Sequence, residues 1–305
     1  MSTPMNTSTP VGREALLAAT EHGRICAVAA KGQRDLQRCA AAYPELFSPK
    51  AFEPALFSNV AMAITFGAPW CSAEQLRLTN RAVLWGFALD YLVDHEAQSR
   101  HEIDRLTERC LAVADGGTPE PDDALGRLLA ELRDELAAGP AFAAYRGVWR
   151  EELRKVLESM AREWDWKTAA QTDGPALPGL DEYLANADNL ACTIVNVTHW
   201  ISNDDRSALT HLDALVEASA EVQRVLRLVN DLGTYERDLR WGDLNAIMLV
   251  SDRSDVERKI EELVARCHEL FAPLAPACPQ AVEYLARQVG FSSGFYRGTD
   301  FWGQM

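Results

Sequence analysis

The sequence predicts an all-α fold, a single domain of roughly ten or more helices. Three observations carry that prediction. Nearly every segment repeats its apolar residues with helical periodicity. No convincing period-2 strand occurs, and no Asn-Gly or Asp-Gly hairpin stands between alternating runs. The breaks are short and rich in Gly and Pro: "DGGTPEPDD" around Pro119, "TDGPALPG" around Pro175 and "APLAPACPQ" around Pro276. Such breaks punctuate helices and are too short for interdomain linkers.

The elements follow in order. The start, "MSTPMNTSTPVG", is polar and uncharged, without the basic and apolar regions of a signal peptide, and reads as a disordered tail over residues 1–12. Residues 13–305 read as the helical domain. Within it, Ala82 to Leu89 leave no polar face, as expected of a helix buried in the middle of a bundle. "DALGRLLAELRDELAAG" puts Leu125, Leu128, Leu129, Leu132 and Leu136 on one stripe. Val222, Val225, Leu226, Val229 and Leu232 do the same further on, and "DVERKIEELVARCHELF" repeats the pattern near the C-terminus.

Composition narrows the function. Of 305 residues, 30 are Lys or Arg and 45 are Asp or Glu, for a formal net charge of -15. An acidic chain is a poor partner for nucleic acid or anionic membranes, so neither is expected. An anionic ligand would need metal ions or a few local arginines to reverse the field. The seven cysteines are scattered, odd in number and never spaced as CxxC, which fits reduced thiols in a cytoplasm. No apolar run is long enough to span a bilayer.

Two motifs carry chemistry. The apolar helix ends in "LDYLVDHEA", where Asp90 and Asp94 stand at i and i+4 and so share a face. Carboxylates ending a buried helix need a cation or a cavity to stay ionised, and hard divalent cations prefer oxygen ligands. Taken alone, an acid pair at this spacing is ordinary on a solvated face. The second motif lies in "LRLVNDLGTYERDLRWGDLNAIML", where Asn230, Thr234 and Asp238 form an i, i+4, i+8 stripe of amide, hydroxyl and carboxylate oxygens. Gly233 beside it weakens a helix and suggests close approach by a ligand or another helix. Together, the two oxygen-rich faces suggest a metal cluster held between them.

With these motifs the chain resembles the bacterial class I terpene synthases. "NDLGTYERD" has the family's Asn-Asp-Leu-x-Ser/Thr-x-x-x-Glu/Asp order, and the likeness covers roughly the whole folded chain. It implies a helical bundle around a central apolar cavity and three Mg²⁺ ions that hold a prenyl diphosphate. On this resemblance Asp90, Asp94, Asn230, Thr234 and Asp238 are the metal ligands, and Asp90, Asp94, Asn230 and Asp238 among them are catalytic. Arg237, Tyr296 and Arg297 contact the diphosphate. Trp85, Phe87, Phe57, Trp200, Phe295, Phe301 and Trp302 are candidates for the cavity wall, where aromatic faces steady a carbocation by ~0.5–2 kcal/mol each. For each aromatic, core packing is the alternative. His199, next to Trp200, reads as a satisfied core histidine.

The departures from the family pattern are specific. Tyr91 stands where a second aspartate is usual, and Asp238 stands where Glu is commoner. No Arg or Lys occurs between Lys167 and Arg206, so the diphosphate-sensing arginine is absent and Asn186 or Asn189 would have to stand in. The C-terminal Arg-Tyr pair appears in reversed order, as Tyr296-Arg297. The D-Y-L-V-D form and the absent arginine resemble divergent bacterial diterpene cyclases. They point to a C20 substrate: geranylgeranyl diphosphate, or a copalyl-type diphosphate made by a class II partner. The chain has no D-x-D-D motif for protonation-initiated cyclisation. The resemblance leaves room for a homodimer and for a farnesyl-diphosphate sesquiterpene cyclase. A squalene- or phytoene-synthase-like enzyme or a chain-elongating prenyltransferase would need a second aspartate motif in place of the Asn-Thr-Asp stripe. From another class, a non-catalytic helical interaction module would leave both stripes solvated.

Overall fold

The structure, a computed structural model, describes residues 12–48, 50–170 and 177–303. The expected tail (all but Gly12) and residues 172–176 of the break around Pro175 lie outside these residues. Twelve α-helices are found among the described residues, with no β-strand. They are α1 (Arg13–Ala42), α2 (Pro54–Gly67), α3 (Arg77–Tyr91), α4 (Arg100–Ala114), α5 (Ala124–Ala137), α6 (Phe142–Ala170), α7 (Leu180–Ala185), α8 (Cys192–Ser202), α9 (Arg206–Thr210), α10 (Leu212–Trp241), α11 (Arg253–Leu274) and α12 (Pro279–Phe295). The breaks around Pro119 and Pro276 fall between α4 and α5 and between α11 and α12, as the sequence predicts.

Six helices stand around one cavity: α2, α3, α6, α8, α10 and α12 all contribute lining residues. Each is packed against the next, α2 on α3, α3 on α8, α8 on α6 and α10, α10 on α12, and α12 back on α2. Helices α1, α4, α5 and α11 pack outside this ring. The leucine stripe of α5 is buried in full, with Leu125, Leu128, Leu129, Leu132 and Leu136 at 1–4% exposure. Each such leucine contributes roughly 1.5–3 kcal/mol relative to leaving it in water. Asp123 caps α5 by accepting from the Gly126 N–H at 2.9 Å, which removes one unsatisfied donor.

Three local features aim the cavity wall. After Tyr91, α3 widens into a π-turn, Leu92–Glu96, closed by the Ala97 N–H on the Leu92 carbonyl. Between the 3₁₀ turn Ala187–Leu190 and α8, Ala191 takes φ 57. A non-glycine residue there costs roughly 1–2 kcal/mol, and the kink it makes turns Ala191 and Cys192 to the cavity. Gly242, at φ 73, ends the 30-residue α10 with the left-handed cap that glycine adopts without a Cβ clash.

The chain beyond α12 folds back over the open end. A Cβ on Gly233 would lie 2.6 Å from the Tyr296 carbonyl oxygen and 3.0 Å from its Cβ, so only glycine lets this segment seat on α10. The close approach predicted at Gly233 is therefore made by the chain itself. Trp302 closes edge-on against Phe87 (5.1 Å) and Phe52 (5.4 Å), and Phe301 lies 5.7 Å from Phe87. Among the described residues, no helix is long and apolar enough to cross a membrane. Gly233→Ala should keep the helical circular dichroism of the wild type while protease cuts residues after Phe295 several-fold faster. An unchanged cleavage rate would disprove the seating.

Candidate active site

The cavity has a volume of about 290 Å³ and two chemically different ends. Its walls are apolar, with Val60 and Ile64 from α2, Val83 from α3, Val195 from α8, Leu226 from α10 and Phe291 from α12. The mouth is acidic. Six carboxylates line the cavity there (Asp90, Asp94, Glu163, Asp231, Asp238, Asp243), against three cationic side chains, Lys167, Arg227 and Arg237.

Asp90 and Asp94 both reach the cavity, although the π-turn corrects the simple one-turn spacing predicted for them. The wider turn rotates Asp94 relative to a regular helix, a distortion that recurs at functional sites. The inward stripe of α3 is Val83, Phe87 and Asp90, while Leu84, Trp85, Ala88 and Leu89 pack outward into the bundle. Among the described residues no hydrogen-bond donor serves either carboxylate. Burial, and then the neighbouring Asp243 and Glu163, push the Asp90 carboxyl up to about 7. Burial and then Asp90 itself push Asp94 well above the usual range. The pair therefore resists carrying two charges until a cation arrives.

Across the mouth, α10 presents its polar stripe. Asn230 and Asp238 line the cavity, whereas Thr234 lies behind them, 2% exposed. Thr234 Oγ1 donates to Asp238 Oδ2 (2.7 Å), and Asn245 Nδ2 donates to the same oxygen (2.8 Å). Burial raises the Asp238 carboxyl, partly offset by these two donors. Asn230 and Tyr296 both line the cavity here. Arg237 pairs with Asp238 (3.1 Å) and Asp300 (3.0 Å), and its guanidinium lies 4.8 Å from the Trp241 ring. Thus a basic residue at the mouth is held by the C-terminal segment.

Several residues important to the mouth were not singled out from the sequence. Lys167, on α6, reaches Asp243 Oδ1 at 2.5 Å and the Asp94 carbonyl at 3.4 Å. Arg227 is 2% exposed, pairs with Glu163 (2.7 Å), donates to Asn189 and covers the Tyr183 ring at 3.9 Å. Its place was legible in the stripe it shares with Asn230, three residues on. Asp231 accepts from the Tyr183 hydroxyl (2.9 Å) and the Ala246 N–H (3.0 Å), tying α10 to α7 and the loop after Gly242. No local signal joins Lys167 or Glu163 to these motifs, because α6 is far from them in sequence.

Other predicted positions are corrected. Phe87, Phe301 and Trp302 line the cavity, but Trp85, Phe57, Trp200 and Phe295 do not. Trp85 faces away and donates to the Leu125 carbonyl (3.2 Å); Trp200 is buried edge-on to Tyr284. Phe57 is in the core, and Phe295 stacks on Phe291 at 5.5 Å, behind the wall. Helical phase decides each case: hydrophobicity alone cannot say which buried face meets a cavity. Arg297 is exposed and off the cavity wall. Asn189 lines the cavity, while Asn186 is buried and bonded to the Ser159 carbonyl. His199 is buried, pushed down to about 4 by desolvation and 3.1 Å from Thr79 Oγ1, the satisfied core histidine expected.

Comparison with known proteins agrees with this architecture. Residues 81–272, which contain both motifs, match the model of terpene synthase family 2, C-terminal metal binding. The chain is similar to an ent-pimara-9(11),15-diene synthase from Streptomyces sp. (strain KO-3988), 31% identical over 284 residues, 90% of this chain and 93% of the relative. It is also similar in structure to 2-methylisoborneol synthase from Streptomyces coelicolor A3(2), solved with Mg²⁺ and geranyl-S-thiolodiphosphate, at TM-score 0.66, 18% identity and 91% of each chain. Linalool/nerolidol synthase from Streptomyces clavuligerus, solved with 2-fluorogeranyl diphosphate, gives TM-score 0.66 and 18% identity over 89% of this chain and 97% of that one. These two likenesses show the fold; the family model and the pimaradiene synthase relative carry the assignment. The chain belongs to the bacterial class I terpene synthases, lyases that act on prenyl diphosphates.

Proposed function

We propose that this enzyme ionises a C20 allylic diphosphate with the help of Mg²⁺ and cyclises the resulting carbocation to a diterpene. The observation that carries the metal requirement is the charge at the mouth. Each of the three cationic side chains is already paired with a carboxylate (Lys167–Asp243, Arg227–Glu163, Arg237–Asp238), so fixed charge alone does not offset a diphosphate and added cations must. The donors proposed here, the Asp90, Asp94 and Asp238 carboxylates and the Asn230 amide, fit hard divalent ions, which prefer oxygen ligands. Among the described residues no three His, Cys, Asp or Glu side chains converge on one point, so the ions would take further ligands from the diphosphate and water. The C20 reading is supported by the pimaradiene synthase relative.

Asp90 and Asp94 would hold ions from one side of the mouth, and Asn230 and Asp238 one from the other. Thr234 and Asn245 orient Asp238 from behind through their hydrogen bonds. Mg²⁺ held there would supply the charge neutralisation that lets the diphosphate leave. Arg237 and Lys167 line the same mouth and supply fixed positive charge beside it. Phe87, Phe301 and Trp302 exclude water and offer aromatic faces to the cation. The linear and the precyclised copalyl-type C20 diphosphates are both candidate substrates, the second supplied by a class II cyclase.

Gas chromatography–mass spectrometry should find a C20 cyclic product from geranylgeranyl or copalyl diphosphate with Mg²⁺ and none with EDTA. Turnover of farnesyl diphosphate alone would replace the C20 reading with a sesquiterpene one. Asp90→Asn and Asn230→Ala should each reduce kcat/KM by at least a hundredfold, an effect on the order of 3 kcal/mol or more; near-wild-type activity in both would remove these residues from the site.

The raised Asp90 carboxyl also sets a pH signature. In the folded protein it keeps its proton to about 7, whereas an unfolded aspartate loses it near ~4. The stability this group permits is therefore lost as pH rises from about 4 to about 7. In the metal-free protein, the Tm advantage of Asp90→Asn over wild type should grow by a few degrees between pH 5.5 and 8. Mg²⁺ plus pyrophosphate should raise only the wild-type Tm. A pH-independent difference would contradict the burial argument.

A further inference from the structure

The far end of the cavity is polar but carries no charge. Asn196 of α8 and Gln288 and Tyr284 of α12 line the same cavity as the acidic mouth. Their distance from the mouth follows from helix rise. Gln288 lies eight residues before Tyr296, about 12 Å along the axis. Ser219, which bonds Asn196, lies eleven residues before Asn230, about 16 Å. Positive charge that forms there lies about that far from the diphosphate at the mouth, its natural counter-ion.

The hydrogen bonds fix how these groups are oriented. Gln288 Nε2 donates to Asn196 Oδ1 at 2.7 Å. Asn196 Nδ2 donates to Ser219 Oγ at 2.7 Å and to Gln288 Oε1 at 3.3 Å. Ser219 Oγ in turn donates to Thr193 Oγ1 at 3.3 Å. Both protons of Asn196 are thus used within the network, while each amide oxygen keeps a lone pair. Tyr284 is pinned by stacking on His199 at 4.5 Å, and its buried hydroxyl has no hydrogen-bond partner among the described residues. Leaving such a group unpaired costs about 1–3 kcal/mol, so it asks for an explanation.

We infer that the Asn196–Gln288 amide pair, backed by Tyr284, is a specificity-determining site that stabilises positive charge at the end of the hydrocarbon skeleton farthest from the diphosphate. Prealigned amide oxygens in an apolar cavity stabilise a developing cation without reorganising. Being neutral, they do so without the desolvation cost of a carboxylate or a permanent ion pair with the cation. Gln288 reaches the cavity from α12 and pairs with Asn196, so it is the group that selects where the charge rests. This inference rests on the cyclase reading above and adds a residue-level determinant of the product.

The test uses Gln288→Met, which keeps volume and removes the dipole, and Tyr284→Phe, which removes one oxygen. With the substrate that the wild type turns over, Gln288→Met should lower the share of the main product at least fivefold while diphosphate is still released. Tyr284→Phe should shift products in the same direction to a smaller extent. Independently of turnover, the wild type with Mg²⁺ and pyrophosphate should bind a protonated prenyl-chain tertiary amine about tenfold more tightly than its neutral carbon isostere. Gln288→Met should lose at least threefold of that preference. Unchanged products in an active enzyme, or an unchanged amine-to-carbon ratio in any case, would overturn the inference. Oxygen-18 from labelled water in a wild-type alcohol, lost in Gln288→Met, would also overturn it and make the pair a water site. Absence of diphosphate release from every prenyl diphosphate would instead count against the proposed function, and the amine ratio would still decide this one.

Discussion

A carboxylate in an apolar wall is stable only when something positive stands before it, and this constraint organises the whole molecule. Asp90 and Asp94 sit where α3 leaves the packed interior, and their neighbours Asp243 and Glu163 add to the negative field. Nothing within the mouth balances that charge in full. The fold holds the imbalance because six helices lock the wall around it, and a buried Arg227–Glu163 pair joins α10 to α6. In the proposed function, the unfavourable burial of these carboxyls is what a bound cation would relieve.

The same long helix carries most of that arrangement. Along one face of α10 stand Gln223, Arg227, Asn230, Asp231 and Asp238, each joined to a different neighbour. Gln223 donates to Asp188 and accepts from the Thr193 N–H, Arg227 donates to Asn189, and Asp231 holds Tyr183. At Gly233 the helix lets the C-terminal segment sit directly on its backbone, which brings Tyr296, Phe301 and Trp302 to the cavity. Arg237 is shared between the oxygen stripe and Asp300 of that segment. The cavity's cover and its polar mouth are therefore joined through Arg237.

Polarity is distributed to suit carbocation chemistry. Charged groups are gathered at one end. The walls between are aliphatic and aromatic, so they neither trap the cation nor admit bulk water. At the far end the polar groups are neutral and hydrogen-bonded to one another, and even His199 behind Tyr284 stays uncharged because burial depresses it.

Local periodicity was enough to read the helical class, the breaks around Pro119 and Pro276, the burial of α3 and the leucine stripe of α5, because each depends on residues within a few turns. The two oxygen stripes were legible for the same reason: i and i+4 neighbours meet whatever the rest of the chain does. What only the tertiary structure decided is everything that depends on helical phase or on contacts between distant helices. Trp85 and Phe87 are two residues apart on one apolar helix, yet one faces the outer core and the other the cavity. The π-turn that reorients Asp94 leaves no mark in composition. Lys167 and Glu163 meet the aspartates, Arg227 finds Glu163, and Asn196 finds Gln288, across separations where the sequence carries no spacing rule. Local order is written in short-range periodicity, whereas the site is made by packing, which sets the rotation of each helix against all the others at once.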